Sequence, residues 1–100
     1  MPSFALTRLA VTDLKEIARY TERRWGREQR NHYLIMLDNT FRQLATHPLH
    51  GKGCNEIRSG YRKFAAGSHL IFYRLRDKEA IEIVRVLHKR MDPDIQLDGL

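Results

Sequence analysis

With a single cysteine, Cys54, the chain has no internal disulfide and no cysteine-based zinc cluster. Apolar runs are only a few residues long, far short of the roughly eighteen that would mark a membrane-spanning helix. The opening residues MPSFALTRLAVTDLKE lack the basic start, apolar centre and small-residue cleavage site of an export signal, so a cytoplasmic protein with no membrane partner is expected. No repeat, linker or low-complexity segment interrupts the sequence, and residues 1–100 read as one domain. His47, His50 and Cys54 share one loop, but three candidate ligands at irregular spacing, without CxxC or HExxH geometry, do not make a metal site, and no cofactor motif is present.

Acidic residues are also in deficit. Twelve Asp and Glu against 18 Lys and Arg give a net charge of +6, which makes a polyanion the expected partner, either nucleic acid or an acidic protein. What the sequence does have in quantity is two β-rich runs, His69 to Arg76 and Ala80 to His88, joined by Asp77-Lys78-Glu79. That spacing predicts a hairpin. Both runs are apolar at odd and even positions alike, so something must cover each face of the sheet they build.

Earlier in the chain, Phe4 to Thr7 predicts a short strand. Ala10, Leu14, Ile17, Ala18 and Thr21 then recur at helical spacing, with Thr7 or Thr12 as N-cap and Gly26 as the stop. Tyr33, Leu37, Phe41 and Leu44 form the stripe of a second helix over residues 28–45, and Pro48 follows its end. The short connection at Trp25-Gly26-Arg27 makes the two helices antiparallel neighbours. Residues 46–55 read as a loop, and residues 56–65 as a strand bent at Ser59-Gly60. Residues 92–100 read as a last helical turn or a tail. The fold class is therefore α+β, in the order β-α-α-β-β-β: an N-terminal strand, a helical hairpin and a three-stranded antiparallel sheet. The hairpin covers one sheet face, and the other is expected to lie open as a partner's seat.

An ordered set of segments carries a family likeness: Ala10, Asp13-Leu14, Ile17 and Tyr20; Trp25-Gly26 and Tyr33; Glu56 to Arg62; His69 to Arg74; and Ile83 to His88 followed by Arg90-Met91-Asp92. Together they resemble the ParE branch of the ParE/RelE superfamily of type II toxins. The resemblance implies a toxin neutralised by a ParD-like antitoxin whose C-terminal segment wraps it, in a toxin-antitoxin hetero-oligomer of the kind tied to plasmid and chromosome stability. It implies DNA gyrase as the target, poisoned by binding and not by catalysis. The rival reading is the other branch, ribosome-dependent messenger RNA endonucleases. Many of those place an arginine where this chain has Leu70, which cannot stabilise a phosphate. A third reading is a non-toxic basic nucleic-acid-binding domain.

For the nuclease reading alone, the catalytic candidates are Glu56, Arg58, Arg62 and His88. His69 and His88 are otherwise expected to be structural. Candidates for binding target or antitoxin are Arg58, Arg62, Lys63, Leu70, Phe72, Arg74, Arg85, Lys89, Arg90 and Met91, whose charges would merge if the strands are neighbours; direct nucleic-acid contact is a secondary expectation. Arg85 interrupts an apolar face and needs a partner, with Glu56, Glu82 or an antitoxin carboxylate as the candidates. Trp25 is expected to pack as core at the turn of the helical hairpin, and at least two of Tyr61, Phe72 and Tyr73 as core in the sheet.

Overall fold

The structure, a computed structural model, describes residues 2–91. A strand β1 (Ser3–Leu6) leads into two helices, α1 (Arg8–Trp25) and α2 (Arg27–Thr46), and then into β2 (Lys52–Gly53), β3 (Tyr61–Ala66), β4 (His69–Asp77) and β5 (Ala80–His88). The strands form one sheet in the order β1-β5-β4-β3-β2, antiparallel throughout except that β1 runs parallel to β5. The helical hairpin lies on one face.

Thr7 is the N-cap. Its hydroxyl oxygen accepts from the Ala10 amide at 3.0 Å and the same hydroxyl donates to the Val84 carbonyl at 2.7 Å, so one side chain both starts α1 and pins it to β5. Gly26, at φ +94°, is the one residue between the helices, a conformation that side chains rarely adopt, and its amide closes α1 on the Glu22 carbonyl at 2.8 Å. The reversal is tight enough to keep α1 and α2 packed along their length.

Side chains alternate across the strands and sort the sheet into two apolar clusters. On the helix side, Ile71 and Tyr73 of β4, Ile81, Ile83 and Val86 of β5 and Ala66 of β3 meet Ala10 and Ile17 of α1 and Leu37, Phe41, Leu44 and Ala45 of α2. On the opposite side, Phe72, Val84, Leu87, Tyr61 and Cys54 are buried, with Ile57 and Leu70 packed against them. The expectation of an open second face is thereby corrected: Phe72, Val84 and Leu87 are each no more than 3% exposed. The turns between β2 and β3, which carry Cys54 and Ile57, contribute to this cluster, and burial pushes the Cys54 thiol up from its usual range with help from the Glu56 charge.

Three other expectations need correction. The strand read over residues 56–65 begins only at Tyr61, because residues 54–60 close on themselves: the Cys54 carbonyl accepts from the Ile57 and Arg58 amides, and the Asn55 side chain accepts from the Gly60 amide at 2.8 Å. The loop read over 46–55 contains β2, a two-residue edge strand paired with Arg62 and Lys63, which brings the strands after the helices to four. Trp25 is not core; its side chain is 60% exposed. The expected helical turn or tail over 92–100 lies outside the described residues.

Candidate functional site

An apolar groove of about 370 Å³ lies between the two helices and β1. Phe4 and Leu6 come from β1, Val11, Leu14 and Ala18 from α1, and Leu34, Leu37 and Phe41 from α2, with Lys15 and Asp38 at the lip. The stripe residues sit there because α1 packs on β5 while α2 packs on β1. Such a groove has the chemistry to take an amphipathic segment.

One wall of the groove is fixed by a buried ion pair. The Arg85 guanidinium donates through Nε and Nη2 to the two carboxylate oxygens of Asp13, each at 2.8 Å, and Asp13 also accepts from the Val86 amide at 3.0 Å. The expected partners Glu56 and Glu82 are not used. Glu82 instead pairs with Arg74 at 2.9 Å, and Glu56 is exposed in the turns before β3. Alternation from Ile83, which faces the helices, puts Glu82 on the opposite side of the sheet, and the β4-β5 ladder shifts register between Phe72 and Tyr73, leaving one extra residue in β5 beside Arg85. The Asp13 bonds push the Arg85 guanidinium still higher than its ordinary range. The signal was present in the sequence: Ala10, Asp13, Ile17 and Thr21 are all buried at 3-4-4 spacing, so Asp13 is an acid on the apolar stripe of α1.

At the far end of the sheet the Tyr33 hydroxyl lies 2.5 Å from His69 Nδ1 and accepts from the Ser68 amide at 3.0 Å. His88 stands edge-on to His69 with ring centroids 5.4 Å apart. Burial, aided by the neighbouring His88, lowers His69 from its usual value to about 4, against a small opposing pull from Asp13. Near neutral pH His69 is therefore uncharged. No sequence signal marked Tyr33 as its partner.

Among the nuclease candidates His88 stands apart, while Glu56 and Arg62 both lie near Cys54. His88 pairs with His69 while Arg62 pairs with Tyr73, four residues further along β4, which sets them roughly 13 Å apart along the strand. Arg62 donates to the Gly51 carbonyl at 2.7 Å, and Arg58 and Glu56 belong to the turns before β3. Buried Tyr73 ties the same loop, donating to the Pro48 carbonyl at 2.7 Å and accepting from the Gly51 amide at 2.8 Å. Of the binding candidates, Lys63, Leu70, Phe72 and Arg74 face the side away from the helices, Arg62 and Arg85 point toward the helix side, and Lys89, Arg90 and Met91 are exposed just beyond β5. Phe72 is fully buried and so packs as core, as do Tyr61 and Tyr73. His47, His50 and Cys54 are not gathered, and among the described residues no three metal-ligating side chains converge.

A basic α+β sheet with a helical hairpin across one face and an apolar groove between them is an architecture with solved counterparts. A chain of the structure described as the chromosomal ParDE TA system from P. aeruginosa shares it, with a TM-score of 0.75 at 21% identity over 88% of this chain and 96% of that one. Residues 4–93 match the family described as the ParE toxin of type II toxin-antitoxin system, parDE. The chain is 45% identical to Toxin ParE1 of Mycobacterium tuberculosis over 94% of its own length and 96% of that protein's, and 42% identical to Toxin ParE1 of Caulobacter vibrioides over 92% and 94%. Toxin ParE of Escherichia coli is 34% identical over 92% and 89%. This chain belongs to the ParE toxin family of type II toxin-antitoxin systems.

Proposed function

We propose that this ParE-family chain acts in the cytoplasm by binding and poisoning DNA gyrase, with no catalytic step of its own, and that a ParD-like antitoxin neutralises it by laying an amphipathic segment into the groove between α1, α2 and β1. The observation that carries the non-catalytic reading is the separation of His88 from Arg62, together with the apolar Leu70 on β4. Acid-base cleavage of RNA needs a base on the attacking 2′-oxygen and an acid on the leaving 5′-oxygen of the same phosphate, and an Arg62 to His88 offset of about 13 Å along the sheet does not favour that. The groove supports the antitoxin reading because it is the place where stripe residues of both helices remain reachable from solvent.

Purified protein free of antitoxin is added to gyrase with supercoiled plasmid and ATP, and in parallel to a translation extract. Gyrase-dependent linear DNA with intact messenger is the expected result; codon-positioned messenger cuts with intact plasmid would move the chain to the nuclease reading. For the groove, Val11→Arg and Leu34→Lys should weaken binding of the antitoxin by roughly tenfold or more while leaving the gyrase effect in place. Unchanged antitoxin affinity in both variants would relocate its seat.

A further inference from the structure

The tip of the helical hairpin carries chemistry that the groove does not use. Residues 19–30 hold Arg19, Arg23, Arg24, Arg27 and Arg30 against Glu22 and Glu28, so half of the chain's net charge of +6 lies on this short stretch. Glu22 is engaged by Arg30, and Arg19, Arg23 and Arg27 make no salt bridge among the described residues. Beside them stand two aromatic rings in the open. Trp25 is 60% exposed and Tyr20 54%, edge to face at 6.1 Å, and the Arg24 guanidinium lies over the indole at 5.6 Å from its centroid. Tyr20, Arg23, Arg24 and Trp25 together line a shallow concave surface.

An indole left this far in water contributes little to the core, and like-charged side chains crowded around it cost stability unless an anion arrives. All five positive charges are arginine, whose planar fork matches phosphate and stacks on rings. We infer that the hairpin tip, Tyr20, Arg23, Arg24 and Trp25, is a binding site for single-stranded DNA, with an unpaired base stacked on the Trp25 indole and Arg23 and Arg24 on the adjoining phosphates. Guanidiniums flanking an open aromatic platform are what a strand with unstacked bases needs, whereas a closed duplex hides its base faces from Trp25. DNA is favoured over RNA because, among the described residues, no carboxylate lines this surface with Tyr20, Arg23, Arg24 and Trp25 to accept from a 2′-hydroxyl. The site does not depend on the gyrase reading.

Trp25 is the only tryptophan in the chain, so its emission reports on this site alone. The full chain is titrated with an oligo-thymidine of about twelve nucleotides, in the size range of single-strand sites, with a matched duplex, the RNA of the same sequence and poly-glutamate as the other arms. Stacking predicts quenching of Trp25 by the single strand. With a fluorescein-labelled strand read by anisotropy, Arg23→Ala/Arg24→Ala should weaken binding roughly tenfold and lower the salt slope by about 1.4, while Trp25→Ala should cost about tenfold and Trp25→Phe much less. Lys89→Ala/Arg90→Ala, a basic pair elsewhere on the surface, should stay within about twofold. Circular dichroism verifies that each variant is folded. The inference is overturned by the absence of quenching, by full affinity in the double arginine variant, by equal loss on removing Lys89 and Arg90, or by duplex, RNA or poly-glutamate binding as tightly as the single strand.

Discussion

Replacing Asp13 by alanine tests the physics that holds α1 on the sheet. The carboxylate accepts two hydrogen bonds from Arg85 and one from the Val86 amide, and the two side chains are only 9% and 13% exposed. Asp13→Ala removes the acceptor of Arg85 Nε and Nη2 and of the Val86 amide in a place where water cannot readily replace it. Removing one partner of a buried pair costs roughly 3–5 kcal/mol, a large share of the 5–15 kcal/mol that stabilises a typical domain. Asp13→Asn, which keeps an acceptor for Val86 but loses the charge, should fall between. In Asp13→Ala/Arg85→Ala no charge is stranded, so the combined loss should be smaller than the sum of the single losses by about 2 kcal/mol or more. Urea unfolding followed by far-ultraviolet circular dichroism measures all four. Trp25 fluorescence would be a poor probe, since the indole is already exposed when folded. A loss below about 1 kcal/mol for Asp13→Ala, or strict additivity in the double variant, would refute the assignment of this pair as a structural lock.

His69 makes stability depend on pH. The folded chain keeps it neutral down to about 4, whereas the unfolded chain takes up that proton near 6.5, so the unfolded state binds more protons in this window. Stability should therefore be intact above about 6.5 and fall by roughly 1–3 kcal/mol toward pH 4, allowing for partial solvent access, and His69→Gln should flatten that slope; parallel slopes would show that His69 is not its source. Tyr73→Phe strands the Gly51 amide and releases Pro48, which should cost about 1–3 kcal/mol and speed hydrogen exchange at Gly51. Gly67→Ala should be more harmful than Gly26→Ala by about 1 kcal/mol or more in thermal unfolding. Both sites have positive φ, but a Cβ at Gly67 would sit 2.7 Å from the Tyr33 hydroxyl, whereas at Gly26 it meets open space.

The sequence was a good guide where periodicity met an obligatory burial. The stripes of α1 and α2 and the two runs of the β4-β5 hairpin declare themselves because each apolar face must be covered, and their ends fall within one or two residues of the expected positions. Legibility failed where side chains bond to nearby backbone. Residues 54–60 look like a strand by composition, yet Asn55 and the Cys54 carbonyl offer local bonds that outcompete a ladder. The partner of Arg85 was missed because Asp13 lies 72 residues away in sequence, and hydropathy does not record which distant elements meet. Trp25 went wrong for another reason: four residues after buried Thr21 it continues the stripe, but it is the last residue of α1 and is left exposed there. The groove itself was half visible, as two apolar stripes facing each other.

Pairing of the two ends of the fold has a consequence for timing. Ser3 to Leu6 find their partners in Ala80 to Ile83, and the Thr7 hydroxyl and Asp13 find theirs in Val84, Arg85 and Val86. A chain emerging from the ribosome therefore holds β1 and the inner face of α1 unmatched until β5 is made, 72 residues after Asp13 in the case of Arg85. Contacts of such long sequence separation form slowly, and local helical structure comes first. A copy lacking β5 loses both the strand that joins β1 to β4 and the anchor for α1, so it has no means of setting up the groove. During synthesis this wall of the groove waits on β5.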